Sequence, residues 1–220
     1  MGNAMSDSPP DATAAEGTVH RFSRAERVVH RSIGVLTGVL VVTGAILYFP
    51  LLAELVGYRP VFRFVHIGAG LLLPIPVLLA LASRAFRTDL RRLNRFTRAD
   101  RLWLRSPRNA RRIADIGKFN AGQKLNSAAT AAWIIVMFGT GSMMTFNRYF
   151  PDGILTGATL VHDLTALGII VLVGGHLVMA AQDPIARAGM RTGVVPTAWA
   201  RVHHPAWARA AEPTAPADYR

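Results

Sequence analysis

His162 and His176 stand fourteen residues apart in the apolar run LVHDLTALGIIVLVGGHLVMAAQ, Leu160 to Gln182. In an α-helix that spacing rises about 21 Å and leaves the two imidazoles only about 40° out of register, on one face and near opposite ends. Imidazole is both a hydrogen-bonding group and a transition-metal ligand, and it is costly in an apolar helix unless its nitrogens are satisfied. A lone histidine in such a helix is most often a hydrogen-bonded core residue. Two on one face require partners, and two more histidines, His30 and His66, lie at the edges of other apolar runs. The candidate chemistry is metal ligation, and the bland alternative is hydrogen bonding between helices.

The elements that carry these histidines are long and uncharged. Runs without Asp, Glu, Lys or Arg cover Ser32 to Phe49, Phe64 to Ser83, Leu125 to Asn147 and Leu164 to Gln182, each close to the ~20 residues of a membrane-spanning helix. The chain therefore reads as an all-α integral membrane protein, a four-helix transmembrane bundle within residues 21–183, with spans at about 28–49, 64–83, 125–147 and 160–182. Pro74 and Pro76 fall inside the second span and predict a bend. Residues 1–20, rich in Ala, Ser, Pro and Asp, read as a disordered tail without the basic-then-apolar pattern of a cleaved signal.

Charge orients the bundle. The net charge is +12, and 22 of the 25 basic residues fall in the N-terminal segment, the basic loop 84–124 and the basic tail 184–220. Four spans with both termini cytoplasmic satisfy the positive-inside rule, as expected of a multi-pass protein of the cell inner (cytoplasmic) membrane. The aromatics of the basic loop, Phe96, Trp103 and Phe119, form no base-stacking motif, so anionic lipid is the expected partner of that charge and nucleic acid is not. The absence of cysteine excludes disulfides, thiolate metal sites and thioether attachment of a cofactor. There is no P-loop, no G-x-S-x-G elbow, no H-E-x-x-H signature and no recognisable internal repeat.

With odd spans running outward and even spans returning, His30 and His176 lie toward the inner face and His66 and His162 toward the outer face. Four histidines on three helices make two depth-matched pairs about 21 Å apart, the arrangement required by two bis-histidine haems. Two imidazoles per iron leave no open coordination site and favour electron transfer. Gly34 and Gly38 follow His30 at four-residue steps and suit either close helix packing or a flat cofactor beside the helix. Arg27, Arg31 and Lys124 inside, or Arg59, Arg63 and Arg148 outside, are candidate counter-charges for haem propionates. The third span has no histidine and reads as scaffold. Its Met143 and Met144 are gap-filling residues before they are ligands.

At these residues the sequence resembles the cytochrome b (gamma) subunit of respiratory formate dehydrogenases, from about Arg21 to Trp207. The resemblance rests on ADIGKFNAGQK at Ala114 to Lys124, the histidine pair of the fourth span, TAWARVHHPAW at Thr197 to Trp207 and, less distinctively, ERVVH at Glu26 to His30. It implies two non-covalent b haems, with His30 paired to His176 and His66 to His162. It also implies a quinone, expected to be menaquinone, beside the inner haem, with Asn120, the backbone of Gly122 and Gln123 as contacts. NAGQ reads equally as a helix N-cap, and the two roles are compatible. The implied partners are an iron–sulfur subunit and a catalytic molybdenum or tungsten subunit that oxidises formate. Asp163, beside a proposed ligand, departs from the family's pattern.

Two other readings stay open. The alternatives are the cytochrome b of a hydrogenase or another quinone-linked oxidoreductase, over which the motif at Gly117 to Lys124 favours formate dehydrogenase, and a haem-free membrane anchor whose histidines only bridge helices. A proton-translocating carrier would need carboxylates at mid-membrane, and Asp163 and Asp183 lie near span ends.

Overall fold

The computed structural model describes residues 17–105 and 115–211. Four helices among them are long and apolar enough to cross a membrane. The first, α1 (Arg24–Tyr48), starts at Ser23, whose hydroxyl accepts from Glu26 N–H while the Glu26 carboxylate accepts from Ser23 N–H, a reciprocal capping box. A short α2 (Pro50–Val56) turns the chain at the far end, where Gly57 and Tyr58 both take positive φ. The second span is bent: α3 (Arg59–Leu72) gives way at Leu73–Pro74 to α4 (Ile75–Ala80), because the prolines remove backbone donors there.

The described part of the expected basic loop holds two helices, α5 (Arg84–Leu93) and α6 (Arg98–Arg105), before the third span, α7 (Ala121–Thr145). After a single 3₁₀ turn at Asn147–Tyr149, the fourth span, α8 (Asp152–Gln182), begins eight residues earlier than the sequence suggests. At 31 residues it is about 46 Å long, so it projects beyond a hydrocarbon core of about 30 Å. His162 thus lies well inside α8, and His66 lies two turns into α3, where its first turn was expected.

The helices form two hairpins, α1 on α3 and α7 on α8, which meet through α3 and α7. Gly168 of α8 admits the Trp133 indole of α7, since an added Cβ would lie 3.3 Å from that ring. Few residues of the spans are buried within the chain. Side chains such as Leu79, Ile135 and Val171 are about 70% exposed, and in a bilayer they would face lipid or a partner.

The compact core sits at the basic end. The expected tail 184–220 folds, as far as Ala211, into α9 (Pro184–Thr192), a strand β2 (Val194–Pro196), α10 (Thr197–His203) and α11 (Pro205–Ala211). The N-terminal segment is also partly ordered against expectation: Thr18–His20 form β1, antiparallel to β2, with Val19 opposite Val195. Pairing buries Val19 and Val195 against Trp199, Ala200 and Ala208, a long-range contact that tail composition does not reveal. Residues 1–16, 106–114 and 212–220 lie outside the described residues, and with them Ala114, which opens the ADIGKFNAGQK motif.

Candidate functional site

The structure brings the four intramembrane histidines together in the two expected pairs. The His66 and His162 ring centres are 6.3 Å apart with the planes at 66°, and the His30 and His176 centres are 6.0 Å apart at 55°. Both histidines of α8 face across the gap between the hairpins, where α8 has no extensive packing against α1 or α3 among the described residues.

The far-end pair is held by matched hydroxyls. Thr43 Oγ1 donates to the Val39 carbonyl at 2.7 Å and lies 2.9 Å from His66 Nδ1. Thr140 Oγ1 donates to the Val136 carbonyl at 2.8 Å and lies 2.9 Å from His162 Nδ1. Each hydroxyl has one proton, and a helical carbonyl takes it, so the oxygen is left to accept from the imidazole Nδ1–H. That selects the tautomer whose Nε2 carries a lone pair. Each threonine is followed by a glycine that gives the ring room, since a Cβ on Gly44 or Gly141 would lie 3.3 Å from Cε1 of His66 or His162.

The His66 ring has the Leu40 carbonyl beside it as well as Thr43, whereas among the described residues no hydrogen bond reaches Nε2 of His162 or either ring nitrogen of His30 and His176. Imidazoles kept only to bridge helices would leave these atoms unsatisfied. A metal–imidazole bond of about 2.0 Å, with about 1.1 Å from nitrogen to ring centre, would set two imidazoles on opposite sides of one ion about 6.2 Å apart, close to both observed separations. No group of three or more His, Cys, Asp or Glu gathers among the described residues. An ion between either pair would draw its remaining ligands from a macrocycle, and the donor set fits haem. Among the described residues nothing lies within 4 Å of a Cβ built on Gly34 or Gly38, so these glycines pack against no helix there.

At the basic end the two most distinctive sequence segments prove to be partners. The turn before α7 presents three consecutive carbonyls: Ile116 O accepts from Ala206 N, Gly117 O from His204 Nδ1 at 2.8 Å, and Lys118 O from Arg21 Nη2 at 3.2 Å. With Nδ1 donating, His204 Nε2 accepts from Arg21 Nη2 at 2.8 Å. The Arg21 guanidinium packs on Trp199 and Trp207. Burial lowers its pKa to about 10, with Asp183 opposing, so it stays charged at neutral pH. Lys118 Nζ bonds the buried carboxylates of Asp89 and Glu26.

This framework holds the start of α7. Asn120 Oδ1 accepts from Gln123 N at 2.9 Å and Gln123 Oε1 from Asn120 N at 3.0 Å, the reciprocal cap that the sequence allowed. Both side-chain NH₂ groups remain without partners among the described residues, and the Gly122 N–H is one of the helix's orphan first-turn donors. Gly122 also seats Trp103, whose ring would lie 3.0 Å from a Cβ there.

Lys124 is not available as a counter-charge. It is buried, with Nζ 2.6 Å from Asp100 Oδ2 and 2.9 Å from the Arg95 carbonyl. Burial alone would raise the Asp100 pKa, but Lys124 and Thr97 together bring it below the usual carboxylate value. Arg27 and Arg31 both donate to the Arg191 carbonyl, at 2.8 and 2.9 Å, and Arg27 Nε is buried without a partner.

Two roles escaped the sequence. The third span is more than scaffold, because Thr140 orients His162. Thr43 does the same from the first span. The hairpins therefore repeat one arrangement, Thr–Gly on the first helix and histidine on the second, separated by 23 residues from Thr43 to His66 and 22 from Thr140 to His162. Three matching residues per hairpin are too few to register as a repeat, but aligning the spans on their histidines would have exposed the Thr–Gly pairs.

Comparison with known proteins identifies the family. An Escherichia coli K12 protein named the cytochrome b556(Fdn) subunit of the nitrate-inducible formate dehydrogenase is 34% identical over 107 residues, 47% of this chain and 49% of that protein. The match thus spans about half the length of that relative. The Haemophilus influenzae formate dehydrogenase cytochrome b556 subunit is 26% identical over 86% of this chain and 82% of its own length. The E. coli K12 cytochrome b556(fdo) subunit is 24% identical over 87% and 92%. Residues 21–191 match the family described as prokaryotic cytochrome b561, which makes haem b the implied cofactor. The chain is a membrane cytochrome b and belongs to the prokaryotic cytochrome b561 family.

Proposed function

We propose that this chain is the membrane cytochrome b subunit of a formate dehydrogenase complex and that it binds two b haems. His66 and His162 are the axial ligands of one, His30 and His176 of the other. The observation that carries the reading is the pair of imidazole separations, 6.3 and 6.0 Å, between two histidines fourteen residues apart on α8 and their partners on α3 and α1. When bound, such haems exchange single electrons between the two faces of the membrane without opening a coordination site to oxygen. The chain's part is to hold opposed imidazoles, exclude water with apolar helices and balance propionate charge. Arg27 and Arg31 are suited to that last task at the basic end.

Electrons enter at the far end from an iron–sulfur subunit, and formate is oxidised on a separate catalytic subunit. They leave at the basic end, where a quinone carbonyl accepts from the Asn120 side-chain NH₂ or the Gly122 N–H, with Gln123 supporting the cap. Protons for the reduced quinone come from the cytoplasm. The relatives' names support the formate dehydrogenase assignment, and the basic residues clustered at one end support the orientation.

Haem content tests the reading. The purified protein should show a b-type reduced-minus-oxidised spectrum and two haems per chain, and acidified acetone should remove all of it because there is no cysteine. A flat difference spectrum would return the chain to a haem-free anchor, and one haem per chain would break the pairing. Purification of the native complex should bring an iron–sulfur subunit with it.

A further inference from the structure

From the far-end geometry, and resting on the two-haem reading above, we infer that Thr43 and Thr140 are positioning residues that give the His66–His162 site a lower reduction potential than the His30–His176 site. The two hydroxyls thereby make electron flow from the far end to the basic end downhill.

The argument begins with the proton count. Each threonine has spent its only proton on a carbonyl four residues back in its own helix, at 2.7 and 2.8 Å. Its oxygen can then only accept from the histidine 2.9 Å away. An imidazole whose Nδ1–H is hydrogen-bonded is a more basic donor through Nε2. A more basic axial donor stabilises ferric over ferrous iron, which lowers the potential. Both ligands of the far-end site are tuned this way, from opposite sides and by the same residue type.

The basic-end pair differs. Neither His30 nor His176 has a ring hydrogen bond, from a hydroxyl or otherwise, among the described residues. One site thus has two basicity-raising partners and the other has none. The contrast follows the chain's own symmetry: each hairpin repeats Thr–Gly opposite a histidine only at the far end.

Potentiometric titration of the purified complex carrying Thr43→Val or Thr140→Val provides the test. Valine keeps the shape and removes the hydroxyl acceptor, leaving His66 only the Leu40 carbonyl. Each variant should raise the midpoint of the same haem, the lower-potential one, by a three- to tenfold change in its ferric-to-ferrous ratio, about 30 to 60 mV for one electron. The other midpoint should stay, the double variant should shift further, and Thr43→Ser or Thr140→Ser should restore the wild-type value. If valine costs the haem outright, the serine variants must retain it at the wild-type midpoint. Loss of the haem in serine as well, unmoved midpoints in valine variants that keep their haem, or a shift confined to the higher-potential haem would each overturn the inference. Failure of the underlying reading is visible separately, as wild-type protein with fewer than two haems.

Discussion

Acidification from pH 7.5 to pH 5 should loosen the basic end of the protein through one residue, His204. Its ring is neutral in the folded chain, because Nδ1 donates to Gly117 O and Nε2 accepts from Arg21, both at 2.8 Å. Burial, reinforced by the Arg21 charge, holds its pKa at about 3, against 6.5 for a free imidazole. Between these values the unfolded ring binds a proton and the folded ring does not. The stabilisation is therefore complete above pH 6.5 and is lost as pH falls through the window toward 3. At about 1.4 kcal/mol per unit, the loss at pH 5 is about 2 kcal/mol. It should appear as faster amide exchange in the turn at 116–120 and in 197–211, read by mass spectrometry on the bilayer-embedded complex. In His204→Gln the amide can still donate to Gly117 O and accept from Arg21 but does not titrate, so the same peptides should lose about 2 kcal/mol less between pH 7.5 and 5. Equal pH slopes in the two proteins would refute the reasoning.

The remaining expectations concern the two ends of the bundle. Gly44→Ala and Gly141→Ala put a methyl 3.3 Å from the His66 and His162 rings, and overpacking of about 1 to 3 kcal/mol should weaken retention of one and the same haem, measured by haem transfer to apomyoglobin. Asn120→Ala should leave both haems reducible by the partner but raise the KM for quinone about two- to twelvefold, the equivalent of one hydrogen bond of about 0.5 to 1.5 kcal/mol, with a lesser effect if the amide only caps α7. Lys124→Met strands the Asp100 carboxylate in a buried site, and although Thr97 still satisfies that carboxylate in part, thermal unfolding should register about 3 kcal/mol of lost stability. Adding Asp100→Asn should recover much of it.

The spans, the bend at Pro74 and the histidine pairs were legible because each depends on local pattern: apolar runs of membrane-crossing length, a missing backbone donor, and a rise of about 1.5 Å per residue that converts spacing into depth. The folded cap was not legible. Its strand pairing joins Val19 to Val195, and its central knot joins Arg21, Gly117 and His204, contacts between segments far apart in sequence whose composition is that of polar termini. The same difficulty hid Thr43 and Thr140. A threonine inside an apolar helix normally bonds its own backbone, and these two do. Their second contact depends on which helix packs alongside. Lys124 was misread for a related reason, since a basic residue at a span edge looks like a free charge until its buried carboxylate, 24 residues earlier, is brought beside it.

The pairing of histidines across the bundle is the claim on which the electron path stands, and assigning each histidine to a haem tests it most directly. Single variants His30→Ala, His66→Ala, His162→Ala and His176→Ala would be compared by low-temperature difference spectra and potentiometric titration of purified complex. Loss of one and the same haem in His66→Ala and His162→Ala, and of the other in His30→Ala and His176→Ala, is the predicted result. A shared residual spectrum for His66→Ala and His176→Ala would contradict it.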